Sequence, residues 1–179
     1  MGRAPLARLD ICAESAAAAV ARRYFDSVAR HDLDAAMACW APGGIDHLAP
    51  VGELHVPDEL RAYFMELFAA MPDFEYEVTT LIEQGDRVAV HWTATGHFTG
   101  RPYAGIRANG TAISTEGADL IQVENGLISR LDSYWDDSAI ARQIGVLPAR
   151  KSAQERVLLG LFNTKTRLKS LVGRRGRAA

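Results

Sequence analysis

Lysine is missing from the first 150 residues of this 179-residue chain; all three, Lys151, Lys165 and Lys169, lie near its C-terminal end. Residues 1–149 carry 11 Arg against 21 Asp and Glu, a balance of −10, whereas residues 150–179 carry nine Lys and Arg against Glu155 alone, a balance of +8. The formal net charge of −2 therefore conceals an acidic body and a basic tail. Such a body argues against nucleic acid as a partner. Cysteine is also scarce. Cys12 and Cys39 alone exclude a disulfide-stapled secreted scaffold, no Cys/His spacing suits structural zinc, and free thiols in a cytoplasmic setting are expected. Long apolar runs are absent: Ala16–Val20 is too short for a signal-peptide core or a membrane span. Gly2 is followed by Leu6 where myristoylation needs Ser or Thr. No G-x-S-x-G elbow, Walker loop or dinucleotide fingerprint occurs, which disfavours serine-hydrolase and nucleotide-driven chemistry. What is present, 48% hydrophobic and 23% charged residues, suits one ordinary domain with a core.

The apolar periodicity is helical first and alternating afterwards. From Glu14 to Arg30, Ala17, Val20, Ala21, Tyr24 and Val28 share one face, so Tyr24 is expected to be buried. Asp32 can cap a second helix in which Leu33, Ala36, Met37 and Trp40 share a face before Pro42-Gly43-Gly44 stops it. A third helix opens with Pro57-Asp58-Glu59 and has its stripe at Leu60, Tyr63, Phe64, Leu67, Phe68 and Met71. Strands follow around Phe74–Val78 and Val88–Ala94, then, beyond a Gly-rich stretch, at Ala112–Glu124 and Ile128–Trp135. This order predicts an α+β domain with a curved antiparallel sheet wrapped around its helices. A short helix runs from about Ser138 to Gly145, and Ser152-Ala153-Gln154-Glu155 is a capping box that opens a last one. The division is an extension at 1–13, a domain at 14–148 and a basic amphipathic helical tail at 149–179, with the end from Arg174 to Ala179 expected to fray.

The last hairpin allows a test of register. A simple two-residue loop at Asn125-Gly126 would set Asp119 against Asp132, like charge against like. A three-residue loop with Gly126 in a left-handed bulge sets Asp119 against Ser133, Ile121 against Leu131 and Gly117 against Trp135. That register gathers apolar residues on one face and turns Asp119 toward the core.

Asp119 is consequently the sharpest candidate for chemistry, because a desolvated carboxyl holds its proton toward neutral pH. The plainer alternative is a half-exposed Asp paired with an Arg. Tyr24 on the buried helix face needs a hydroxyl partner and could equally be a satisfied core residue. Asp46-His47 sets a carboxylate beside an imidazole suited to general base work, although alternation lets only one face a pocket. His91 and His97 are weaker, since His91 falls on the polar side of its strand and His97 sits beside Gly96. Asp132, Asp136 and Asp137 crowd around Tyr134-Trp135, but strand alternation and a helix start explain them without a metal.

The runs Tyr24-Phe25 to His31-Asp32-Leu33-Asp34, Thr95-Gly96-His97-Phe98-Thr99-Gly100 and Glu116-Gly117-Ala118-Asp119-Leu120-Ile121 are joined by a hairpin at Gly126 followed 17 residues later by Gln143-Ile144-Gly145. Together they resemble the SnoaL-like polyketide cyclases of the nuclear transport factor 2-like superfamily, over about residues 14–148. The resemblance implies a cone-shaped α+β fold with an internal pocket, usually a homodimer, and chemistry on a small hydrophobic molecule without cofactor or metal. The cyclases' catalytic Asp corresponds to Ser133 here, and their pocket His to Asp119. The Arg and Asp of the related limonene epoxide hydrolases correspond to His91 and Thr93, so that triad is absent. Ketosteroid isomerases offer another match: their oxyanion-binding Tyr and their Asp, kept protonated by its surroundings, look like Tyr24 and Asp119. Their base falls near Leu48 or Ala49, which leaves Asp46 or His47 to substitute.

Two readings stand together. One is an acid/base enzyme that cyclises or isomerises a polyketide-like or steroid-like carbonyl compound, with Tyr24, Asp119, His47 and Asp46 catalytic and Ser133, Trp135, His91, Tyr63, Phe64 and Trp40 contacting substrate. The other is a non-catalytic binding module with the same pocket, motivated by Ser133. The tail is expected to dock on the acidic body, within the chain or across a dimer, in preference to an anionic membrane surface.

Overall fold

A computed structural model describes residues 15–175. The extension at 1–13 with Cys12, and the last four residues, lie outside the described residues. Helix α1, Ala16–Ala29, starts at Ser15, whose hydroxyl accepts from the Ala18 N–H. It buries Val20, Ala21, Tyr24, Phe25 and Val28, the face that the periodicity marks. His31 ends the helix in the left-handed conformation usual for glycine (φ 58°), with its ring stacked on Phe68 and Nε2 2.9 Å from the Phe74 carbonyl.

Helix α2, Leu33–Met37, is capped by Asp32 as expected but ends earlier than its pattern suggests. Trp40 opens strand β1, Trp40–Leu48, and Pro42-Gly43-Gly44 lie inside that strand instead of halting a helix. A shift in pairing between Trp40 and Ile45 absorbs these residues, and at Gly44 a Cβ would come within 2.9 Å of the Trp40 ring. Strand β2, Gly52–His55, returns against β1, and α3, Asp58–Ala70, begins after Pro57. Strands β3 (Glu75–Gln84), β4 (Arg87–His97), β5 (Ala112–Glu124) and β6 (Leu127–Trp135) form a meander.

The strand order is β2-β1-β6-β5-β4-β3 in one curved, unclosed sheet. It is mixed, which corrects the all-antiparallel expectation: β1 runs parallel to β6, with Asp46 opposite Leu131 and Leu48 opposite Ser133. The chain passes from β1 through the whole meander before reaching β6, so no hairpin constrains their direction. The predicted pairs Asp119–Ser133, Ile121–Leu131 and Gly117–Trp135 are present. They arise by another route than a three-residue loop. The turn is the two-residue Asn125-Gly126, both left-handed, with Glu124 opposite Leu127. A bulge between Gln122–Val123 and Ile128–Arg130 then leaves Ser129 unpaired and slips the register by one.

The inner sheet face and α1 enclose the core, where Leu60, Ile128 and Leu131 are essentially inaccessible to solvent. Each such side chain contributes about 1.5–3 kcal/mol through burial. The stripe of α3 is different. Leu60 is buried, but Tyr63, Phe64 and Leu67 are only partly so, because they face a cavity between α3 and the sheet.

Helix α4, Asp137–Gln143, is capped by Asp136. Gln143 holds it to β5 by accepting from the Ser114 N–H and donating to the Ser114 carbonyl. Helix α5, Ala153–Arg175, opens with the Ser152 hydroxyl accepting from the Glu155 N–H. Its first turns border the Gly145–Ala149 segment, while Val157, Leu159, Leu161 and Phe162 remain exposed. Among the described residues no helix is long and apolar enough to cross a membrane.

Candidate active site

Alternation along three strands brings the functional side chains together. Asp46, Asp119 and Ser133 occupy inward positions of β1, β5 and β6, Trp135 follows Ser133 on the same face, and Tyr24 meets them from α1. With Tyr63 and Phe64 of α3 they line one cavity of about 170 Å³. Among the described residues, ten of those lining it are aromatic.

Asp119 is 3% exposed and well bonded. Its Oδ1 accepts the Trp92 indole N–H at 2.8 Å and the Ser133 hydroxyl at 2.8 Å, and the Tyr76 hydroxyl adds a third interaction with the carboxyl. Burial pushes the Asp119 pKa up to about 6, a rise that these three donors restrain. Asp46 is 1% exposed and has the opposite environment, for its Oδ1 is buried without a hydrogen-bond partner. Burial, followed by the charges of Asp119 and Asp132, raises the Asp46 pKa well above the carboxylate range. Tyr24 is likewise raised, mainly by burial and then by Asp46 and Asp119, so its phenol stays neutral and able to donate. Tyr63 and Tyr103 interact through their hydroxyls, with Tyr103 supplied by the loop between β4 and β5.

Three expected contributors stand outside the cavity. His47 points to the opposite sheet face, where its Nδ1 lies 3.2 Å from Asp132, itself held by Arg130 at 2.8 Å. His91 also faces outward, with Nδ1 2.6 Å from the Thr79 hydroxyl and Nε2 3.9 Å from Glu116. Trp40 is buried edge-on against Tyr24, with ring centroids 5.6 Å apart, but does not reach the cavity wall. His97 binds Asp73 at 2.7 Å on the surface. The Asp132, Asp136 and Asp137 cluster disperses: Asp132 pairs with Arg130 and His47, Asp136 caps α4 and Asp137 lines the cavity.

Trp92, Tyr76 and Tyr103 were not singled out by the sequence. Trp92 and Tyr76 share the inward phase of β4 and β3, a signal legible in the alternation. Their convergence on Asp119 depends on cross-strand register, and Tyr103 on an irregular loop.

The sequence matches the SnoaL-like domain over residues 21–131, and the chain belongs to that family. Its fold is shared with a protein of Jannaschia assigned as a SnoaL-like polyketide cyclase, at 20% identity and TM-score 0.68 over 83% of this chain and 99% of that one. It is also shared with IdmH of Streptomyces antibioticus, assigned as a polyketide cyclase, at 20% identity and TM-score 0.62 over 72% and 98% of the two chains. A Catenulispora acidiphila protein with a ketosteroid isomerase-like fold aligns at 18% identity and TM-score 0.61 over 74% and 96%. At these identities the likeness is one of fold, the nuclear transport factor 2-like cone. No curated protein sequence matches this chain.

Proposed function

We propose that the cavity is the active site of an acid/base enzyme acting on a small hydrophobic carbonyl compound, by isomerisation or cyclisation through an enol. The observation that carries this reading is the unequal pair of buried carboxyls. Three donors converge on Asp119 and favour its anion, whereas Asp46 has none and keeps its proton. The roles are therefore reversed relative to those the ketosteroid isomerases suggest: Asp119 is the base and Asp46 the hydrogen-bond donor.

Asp119 removes a proton from the carbon beside the carbonyl. Neutral Asp46, with the Tyr24 phenol nearby, stabilises the developing enolate oxygen; one such donor is typically worth about 10²–10³ in rate. In an isomerisation, Asp119 returns its proton to another carbon of the conjugated system. In a cyclisation, the enolate carbon attacks a second carbonyl, the new alkoxide takes the Asp46 proton, and after product release Asp119 loses its proton to solvent while Asp46 regains one. A cavity of about 170 Å³ is comparable to one that holds a single benzene ring, so it suits one ring of a substrate.

The test is deuterium uptake from D₂O into a panel of cyclic enolisable ketones, followed by NMR. Exchange above the buffer rate that falls at least 100-fold in Asp119→Asn is expected. Equal exchange in that variant would overturn the assignment. The alternative of a non-catalytic binding module is favoured by one fact: Ser133, at the position of the cyclases' catalytic Asp, directs its hydroxyl to Asp119. Ligand binding with no exchange across the panel would establish it.

A further inference from the structure

The charge lining this cavity is of one kind. Among the described residues three aspartates, Asp46, Asp119 and Asp137, contribute to its wall, and no Lys, Arg or His does. The titratable groups facing Asp119 are Asp46 from β1, Tyr24 from α1 and Tyr76 from β3, while α3, α4 and the β4–β5 loop add Tyr63, Asp137 and Tyr103. Every one of these is an acid. The bases on the surrounding strands turn the other way: His47, His91 and Arg130 all hold partners on the outer face.

A buried carboxylate is ordinarily paired with a cation, because an uncompensated charge in an apolar setting is costly. Among the described residues Asp119 has only neutral donors, so its anion is left without a counter-ion, and the neutral Asp46 beside it has a buried oxygen with no hydrogen-bond partner. Aromatic rings stand beside them. Phe25 stacks on Tyr76 at 5.6 Å and 7°, Tyr76 lies 5.1 Å from Trp92, and Trp92 lies 6.4 Å from Trp135, a continuous aromatic wall that includes the donor to Asp119. A cation over such faces is attracted by the ring quadrupoles, most of all when desolvated.

We infer that the natural ligand of this cavity is an organic cation, a protonated or quaternary amine on a ring-sized hydrophobic frame, with its nitrogen against the aromatic wall beside Asp119 and Asp46. Such a ligand supplies the counter-ion that the fold omits. Combined with the proposed chemistry, it specifies an enolisable carbonyl compound bearing a cationic nitrogen. The binding preference itself stands whether or not the ligand is turned over.

Phenyltrimethylammonium and tert-butylbenzene have the same shape and differ in charge, and neither titrates. Their affinities for the full chain are to be measured by calorimetry and by quenching of tryptophan fluorescence at pH 8 and pH 5. The cation is expected to bind at least tenfold tighter than its neutral counterpart at pH 8, and to lose at least fivefold at pH 5 as Asp119 gains its proton. In Asp119→Asn, checked for folding by circular dichroism, the preference should fall toward one, and Asp46→Asn should reduce it in part. The inference is overturned if the neutral compound binds as tightly at pH 8, if the cation's affinity is the same at both pH values, or if the cation does not bind at millimolar concentration. Loss of the charge preference with ketone exchange intact would reject the ligand class and leave the acid/base reading in place.

Discussion

Trp92 reaches diagonally across the β4–β5 pair to donate its indole N–H to Asp119, and it can do so because the residue directly opposite it is Gly117. A Cβ at position 117 would lie 2.3 Å from the Trp92 ring and 2.6 Å from the Tyr134 carbonyl. The glycine is thus a requirement of the site, since it makes the space in which the indole lies flat against the sheet. Gly117→Ala is expected to destabilise the fold by about 1–3 kcal/mol through overpacking. It should also break the Trp92–Asp119 hydrogen bond. Urea unfolding and the cavity's tryptophan fluorescence would show both effects, and a variant of unchanged stability and emission would contradict this account.

Ser133→Ala removes one donor from Asp119 with little change of shape. A hydrogen bond to a charged group contributes about 1.5–3 kcal/mol, equivalent to roughly one to two pKa units. Because the lost bond favoured the anion, the Asp119 pKa must rise above its value of about 6. The acid limb of the exchange rate, which follows ionisation of the base, should therefore move to higher pH by about one unit or more. An unshifted limb would mean that another group is the base.

Much of this arrangement was legible in the chain. Period alone placed Tyr24 on the buried face of α1, and a preference for unlike cross-strand pairs placed Asp119 opposite Ser133. The cause of that register was not legible, since a three-residue loop and a two-residue turn with a bulge at Ser129 give the same pairs farther from the turn. Trp40 departs from its helical pattern for a physical reason. It continues the apolar phase of α2, and only the pairing of β1 with the distant β6 converts it to a strand residue. For Asp46 and His47, alternation stated that one faces inward without stating which. The parallel register, Asp46 with Leu131 and His47 with Asp132, decides it, and that is information 85 residues away along the chain.

His47 and His91 provide a direct check on that decision. Both imidazoles face outward and are engaged by neighbours, His47 with Asp132 and His91 with Thr79. Replacing either by Ala should leave exchange within about twofold of the parent, because neither side chain lines the cavity. A hundredfold loss in His47→Ala would return the imidazole to the mechanism and displace Asp46 from it.

The site should also be measurable as a pH-dependent cost in stability. The Asp119 carboxyl titrates near 3.8 when unfolded and at about 6 when folded. Below the lower value both states are protonated, and the group is neutral toward folding. Between the two, the unfolded chain releases its proton and the folded one does not, so stability falls as pH rises. Above about 6 the penalty is complete, at about 3 kcal/mol for this shift. Asp46 acts in the same direction, since its pKa is raised by burial and by the neighbouring carboxylates. Asparagine cannot ionise and keeps an oxygen to accept from Trp92 and Ser133. Asp119→Asn should therefore gain about 1–3 kcal/mol relative to the parent between pH 4 and pH 8, read as the difference in urea unfolding free energy at the two values. The same variant should lose deuterium exchange, so that stability rises as activity disappears. If the difference in unfolding free energy is the same at both pH values, Asp119 is not held in an environment that resists its charge, and the basis for treating it as a tuned base is removed.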